Sequence, residues 1–375
     1  MEQKTGHIDW YIMIPVAGLM LFSIAFVYSA SAYVSSLKFG SAESLFLNHS
    51  TKVVIGLILI IIFAKIDYHF WFRHSKKILL LTVIPLFLVF FIGEDYGKGA
   101  LRWIDLKIFN FQPSELAKWA LILHIATLLT QKQKNIKTFQ EGMLPVLIWT
   151  FVVVVMIALQ PNFSNAFIIF LISMFMLFIG NSNLLHLGSI AFISFVGAAL
   201  YAVSAQYRLQ RIYSYIGRLI DDSVRTSEAS SFQATQAIIA FGNGGVFGVG
   251  PGKSQQSHLF LPESYGDYIF SIIGEEYGFF GVAAILLVFI FIFWRGMIIA
   301  RNAPDNYGYF LAIGIIVTLA IYVFVNTGVN AGILPATGVP LPLISYGGTA
   351  VFFYSMAIGI LLNVSAQAGV YPHEE

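Results

Sequence analysis

Apolar stretches of membrane-crossing length recur from one end of the chain to the other, and no other feature restricts the fold as much. About 30 Å of hydrocarbon at 1.5 Å per residue calls for roughly 20 apolar residues. Runs of that order lie near 10–33, 51–66, 77–93, 113–130, 143–159, 163–180, 185–205, 267–294, 306–327 and 346–366. Charged residues are only 11% of the chain, about half the share of a soluble domain. The expectation is an all-α integral membrane protein, a single polytopic unit over 1–375. It has about ten transmembrane helices and a long outer loop, 206–266, between the seventh and eighth. The run from Ile12 to Tyr28 is too long for a signal peptide, and its leader holds one Lys against Glu2 and Asp9.

Several classes of chemistry drop out at once. With no cysteine there is no disulfide or thiol chemistry, and the eight histidines lack ligand spacing, so no His-built metal site is expected. A net charge of +2 gives no reason to expect nucleic acid. Orientation follows from the loop cations. With the N-terminus inside, inner segments hold Lys4, Lys65, Arg73, Lys76, Lys77, Lys132, Lys134, Lys137, Arg295 and Arg301. Short outer loops hold only Lys38, Lys52, Lys98, Arg102 and Lys107. Both termini are therefore expected in the cytoplasm.

Under that topology the outer loops carry the unusual residues. Arg102 and Trp103 in GALRWIDLKIFNFQPSELAK suit headgroup depth, and Pro113 opens a helix in which Lys118 lies three residues after Glu115. An ionisable residue inside the membrane boundary is a functional candidate by default; a structural ion pair is the alternative. QPNFSNA, 160–166, is a sharp turn between helices. The segment 206–281 holds an arginine series (Arg208, Arg211, Arg218, Arg225) and GNGGVFGVGPGKS, which misses the register of a nucleotide-binding loop. Its glycine N–H groups, with Lys253 and Ser254, are candidates to contact a phosphate; close-packed irregular backbone is the alternative. Asp267 stands at the mouth of the next helix, above Ser271, Glu275 and Glu276. It suits a general base, against the plainer role of a helix cap. GVNAGILPATGVPLPLISYGG, 328–348, is expected as an irregular wall lining a groove.

Taken in series, GALRWI, FQPSELAK, GNGGVFGVGPGKS, LPESYGDYIFSIIGEEYG and LPATGVPLPLISYGG resemble the SEDS family of bacterial cell-wall proteins (FtsW/RodA-type) over nearly the whole chain. VPLPLISYGG and the glycine of IIGEEYG are closer to the division (FtsW) type than to the elongation (RodA) type. The resemblance implies a peptidoglycan glycosyltransferase in the bacterial cytoplasmic membrane. It would polymerise lipid II at the outer face, working with a class B penicillin-binding protein and other divisome proteins. The family's essential aspartate falls on Asp267, its GARRW arginine on Arg102 and its lysine after QPSE on Lys118.

On this reading Asp267 takes the proton from the attacking hydroxyl. Arg102 with Arg208 or Arg211 steadies the departing pyrophosphate. Lys118, Lys253, Ser254 and Glu275 complete the candidate substrate-binding set. No cofactor is required, and a divalent cation on the pyrophosphate stays open. A lipid II flippase is the main alternative; against it, the charges gather at the outer face and not at the midplane expected of alternating access.

Two departures from the family pattern stand out. Asn162 replaces an aspartate in QPNFSN, and Tyr265 and Gly266 replace the residues usually preceding Asp267. With that aspartate gone, Lys118 is expected to pair with Glu275 or Glu276. Phe289, Phe291 and Phe293 are expected to offer lipid-facing surface to a partner's single helix.

Overall fold

The computed structural model describes residues 6–93, 102–107, 110–203, 209, 213, 215–217, 229–261 and 264–368. Each expected span is a helix. In order these are α1 (Trp10–Phe39), α2 (Ser44–Lys65), α3 (Tyr68–Ile92), α4 (Pro113–Lys132), α5 (Leu144–Leu159), α6 (Phe163–Ile179) and α7 (Leu184–Val203). After α8 (Ala229–Gly244) and α9 (Gln255–Leu259) come α10 (Ile269–Arg301), α11 (Asn306–Asn330) and α12 (Ala350–Gln367). Among the described residues, seven helices are long and apolar enough to cross a membrane, and α6 and part of α7 are shorter apolar helices. The chain is a multi-pass membrane protein.

Two features correct the expectation. The expected long loop contains α8 and α9; α8 packs along α10 with Gly244 against Gly274, and its Ala234, Ala237 and Ala240 are all buried. Their spacing of three places small side chains on one helix face, which lets the backbones approach. Phe289, offered as lipid-facing, is 1% exposed; the outward stripe of α10 is Phe280, Leu287, Ile290 and Trp294.

The least apolar of the ten spans, α4, lies at the centre. Its residues from Pro113 to Leu129 are almost all buried, as are most of α11 and α12 around it. A helix surrounded by protein can carry Glu, Lys and His where one facing lipid cannot.

At the face opposite the unusual loops, polar clamps close the bundle. Asp9 caps α1, accepts a bond from Arg295 Nε at 2.7 Å and donates its backbone N–H to Ser365 Oγ at 3.1 Å. The His69 ring sits between the caps of α3 and α11, 2.8 Å from Asp67 and 2.7 Å from Asp305.

The 33-residue α10 is broken at Gly278, with φ 64° and ψ −161°. That backbone suits glycine alone, and a Cβ there would stand 2.4 Å from Gly248 N and 2.6 Å from Val246 C. The glycine-rich segment is therefore pressed against the break. Gly278→Ala should cost more than about 2 kcal/mol in strain and displaced backbone, read as a clear fall in the thermal unfolding temperature of the purified protein in detergent. An unchanged midpoint would mean that the break is not required.

Candidate functional site

The ends of α3, α5, α7 and α11 and the starts of α4, α6, α10 and α12 all lie at one face, since successive spans cross in alternate directions. Strands β1 (Ile104–Asp105) and β2 (Asn110–Phe111) pair antiparallel there and place Arg102 and Trp103 just before the hairpin. Arg102 donates to the carbonyl of Pro161, so the segments leading into α4 and α6 meet. Trp103 packs on Gly348, and Gln112 N donates to Thr349 Oγ1 at 3.2 Å, which docks the hairpin on the start of α12.

Pro113 occupies the first turn of α4, as its sequence position predicts. One turn in, Lys118 Nζ lies 2.8 Å from Glu115 Oε2, with both side chains essentially buried. The ammonium also faces the rings of Tyr322 at 4.0 Å, Tyr354 at 4.7 Å and Trp119 at 5.4 Å. Ring quadrupoles attract a desolvated cation, so this cage offsets part of the cost of burying it. The expected pairing of Lys118 with Glu275 or Glu276 is therefore wrong. The partner was one turn away, an acid three residues N-terminal to a lysine. Asn162 begins α6, and Asn165 one turn on accepts the Tyr322 hydroxyl at 3.0 Å, linking this turn to the cage.

Glu275 and Glu276 instead hold the glycine-rich segment. Glu275 accepts from Ser254 Oγ, from Gln256 N at 3.3 Å and from Asn243 Nδ2 at 3.2 Å. Glu276 accepts from Gly252 N at 3.0 Å and from Ser29 Oγ. A coil of glycines exposes N–H groups that need acceptors; the Glu276 carboxylate takes that of Gly252, and the backbone carbonyls of Glu275 and Glu276 take those of Val249 and Gly250. Ser254 is wholly buried and caps α9, so its hydroxyl faces Glu275 and the Ser257 N–H. Lys253 is exposed on the same segment. Arg208 and Arg211 lie outside the described residues.

Asp267 lies in a turn two residues before α10, half-buried, and the cap position belongs to Tyr268. The three successive carbonyls that end at Asp267 are tied to the irregular wall or to the end of α11. The Tyr265 carbonyl accepts Tyr346 N at 2.9 Å, and that of Gly266 accepts Ser345 Oγ at 2.8 Å. The Asp267 carbonyl accepts the Nδ2 groups of Asn326 at 2.8 Å and Asn330 at 2.9 Å. Its carboxylate faces Gly338, where an added Cβ would come within 3.4 Å of Oδ2. The 331–349 segment is irregular, as expected, with Val339, Leu341, Leu343 and Ile344 buried.

Sequence reasoning missed the contribution of α2. Lys52 Nζ sits 4.3 Å above the Tyr346 ring, which meets Tyr265 edge-on at 5.4 Å, and the Tyr346 hydroxyl donates to Asn48 Oδ1 at 3.2 Å. Asn326, Asn330 and Ser345 were also missed, since a lone Asn or Ser in an apolar run carries no spacing signal.

A bundle of apolar helices, seven of them of membrane-crossing length among the described residues, with a carboxylate fixed among irregular segments at one face, defines a polytopic membrane protein with a built polar site. The FtsW/RodA/SpoVE family of cell cycle proteins matches residues 9–369. Stage V sporulation protein E of Bacillus subtilis (strain 168) is 38% identical over 369 residues, 97% of this chain and 99% of its own. A probable peptidoglycan glycosyltransferase FtsW of Geobacter metallireducens is 35% identical over 360 residues, 96% of this chain and 95% of its own. The chain belongs to this family, the one its motifs resemble. Solved structures agree on the fold. A chain of a peptidoglycan synthase complex superposes with a TM-score of 0.79, at 24% identity, covering 96% of this chain and 98% of that one. The rod shape determining protein RodA of Thermus thermophilus gives 0.70 at 24% identity, covering 96% of each.

Removing one member of the buried ion pair should be worse than removing both. Glu115→Gln leaves the Lys118 ammonium buried without a counter-charge, a loss of about 3–5 kcal/mol for such pairs. Adding Lys118→Met should recover most of the unfolding temperature. If Glu115→Gln alone melts like wild type, the pair is not holding α4.

Proposed function

We infer that this chain is a peptidoglycan glycosyltransferase that polymerises lipid II at the outer face of the bacterial cytoplasmic membrane, with Asp267 as general base. The observation that carries the reading is the Asp267 turn: a carboxylate at the loop-rich face, its backbone fixed on three successive carbonyls. Polymerisation requires a sugar hydroxyl to attack the anomeric carbon of a second unit and expel a lipid pyrophosphate. A fixed carboxylate within reach of the hydroxyl takes its proton. Arg102, with Arg208, Arg211 and Lys253 from the long segment, would face the pyrophosphate oxygens, where positive charge is needed as the bond breaks.

The lipid tails need an apolar path. A cavity lined by Leu116, Trp119, Leu123, Ile315, Phe353 and Ile360 runs between α4, α11 and α12 and reaches Phe63 and Trp71. Its lining suits a hydrocarbon chain and little else. The buried charges support an enzyme over a transporter: Glu115, Lys118, Glu275 and Glu276 lie within the first turns of α4 and α10, at the site face. Division-type relatives favour the FtsW role over the RodA role, and the cation count favours both termini inside.

Asp267→Asn keeps the size of the side chain and removes the base. Glycan polymerisation from purified lipid II should fall at least about 100-fold, with unfolding temperature and lipid II binding nearly unchanged. Polymerisation at the wild-type rate would remove Asp267 from the chemistry.

A class B penicillin-binding protein is the expected partner, docked on α10. Phe280, Leu287 and Trp294 repeat every seven residues on its exposed face, and the ring of Phe247, 81% exposed, lies 5.5 Å from that of Phe280, tilted by 39°. A seven-residue repeat suits one further helix laid alongside. Leu287→Ala with Trp294→Ala should cut co-purification of the partner several-fold while leaving the unfolding temperature unchanged. Full co-purification would place the partner elsewhere.

A further inference from the structure

We propose that Asn326 and Asn330, at the end of α11, are positioning residues that hold the Asp267 carboxylate at a fixed distance from the 331–349 wall; the proposal rests on the reading of Asp267 as the base. Both side chains are buried, at 1% and 0% exposure, and neither bonds to the carboxylate in the contacts described above. They act on its backbone. The two Nδ2 groups converge on one carbonyl, that of Asp267, at 2.8 and 2.9 Å.

The second contact of Asn326 gives the arrangement its function. The same Nδ2 donates to the carbonyl of Val339 at 2.7 Å. Val339 follows Gly338, the residue facing Asp267 Oδ2. One amide nitrogen thus joins both sides of the gap in which the carboxylate lies. A primary amide has two N–H donors, and spanning two carbonyls needs both. Asn330 completes the frame from below: its Oδ1 accepts Ser271 N at 3.1 Å, fixing the first turn of α10, and its Nδ2 also donates to the Asn326 carbonyl at 2.9 Å. Ser345 works on the neighbouring carbonyl, donating to Gly266 at 2.8 Å and accepting Leu341 N, also at 2.8 Å. Gly338 has φ 70°, a backbone conformation that L side chains rarely adopt, and lacks the Cβ that would stand 3.4 Å from Oδ2.

A base displaced by about 1 Å can lose about 100-fold in rate while substrate still binds. A residue that merely fills space would instead alter assembly or affinity. The test uses initial rates of lipid II polymerisation by the full-length purified chain. Asn326→Leu and Asn330→Leu should lower kcat by about 10–100-fold, with KM within about twofold of wild type. Adding Asn326→Leu to Asp267→Asn should lower the residual rate no more than about twofold, because a misplaced base and a missing base are one defect.

Wild-type kcat in assembled Asn326→Leu protein would overturn the positioning role. So would an equal fractional loss with and without the Asp267 carboxylate. Either result leaves the base assignment intact so long as Asp267→Asn itself is slow; a fast Asp267→Asn protein overturns the base assignment, and with it this proposal. Should Asn326→Leu fail to assemble, Ser345→Ala decides, since it removes a single hydroxyl. It should lower kcat several-fold with KM unchanged, and an unaltered kcat would reject the frame.

Discussion

A backbone carbonyl or N–H inside a bilayer has no water to bond, and the rest of this structure follows from how the chain meets that demand. The spanning helices satisfy themselves. The 331–349 wall, the glycine-rich segment and the turn at Asp267 cannot, yet all three sit in or beside the membrane-spanning bundle. Each is instead supplied with side-chain partners from a neighbouring helix. Asn326 and Asn330 donate to the carbonyls of the Asp267 turn and the wall, Glu276 accepts the Gly252 N–H, and Glu275 accepts from the Asn243 and Ser254 side chains at the two ends of the glycine-rich segment. Irregular backbone thereby gains from neighbouring helices the hydrogen-bond partners that a helix finds within itself.

The same demand explains why polar residues inside the spans divide into two kinds. Glu275 and Glu276 belong to the architecture of a loop. Glu115 and Lys118 form a closed unit with three aromatic rings, and their position near the start of α4 keeps them close to the site face. Replacing the usual aspartate by Asn162 removes a carboxylate from this neighbourhood without leaving Lys118 uncompensated, because Glu115 is already 2.8 Å away. The QPNFSN turn keeps its link to the cage through Asn165 and Tyr322.

The spans were legible because hydrophobic length is a strong and local signal; all ten runs became helices, and Pro113 marked the start of α4. Asp267, Arg102 and the irregular wall were legible because a charge or a proline cluster at a span boundary is conspicuous. The partners of Lys118, Glu275 and Glu276 were not, since pairing across helices depends on rotation about each axis, which residue order does not reveal. The spacing of Glu115 to Lys118 did carry that information and was outweighed by the missing aspartate. The alanine spacing that marks α8 was hidden inside a segment polar enough to pass for a loop. Asn326, Asn330 and Ser345 gave no signal, because their role lies in which carbonyls the fold brings to them.

The break at Gly278 has a mechanical consequence. An unbroken helix of 33 residues would extend about 50 Å, well beyond a hydrocarbon core of about 30 Å. Below the break, the 23 residues from Phe279 to Arg301 measure about 35 Å, one slightly tilted crossing. The short upper piece is fastened to the glycine-rich segment and to α11. The same glycine-rich segment accepts the N–H groups of Phe279 and Phe280 just below the break, so the lower piece crosses the membrane along its own axis while the depth of Asp267 is set by the separately fastened upper piece.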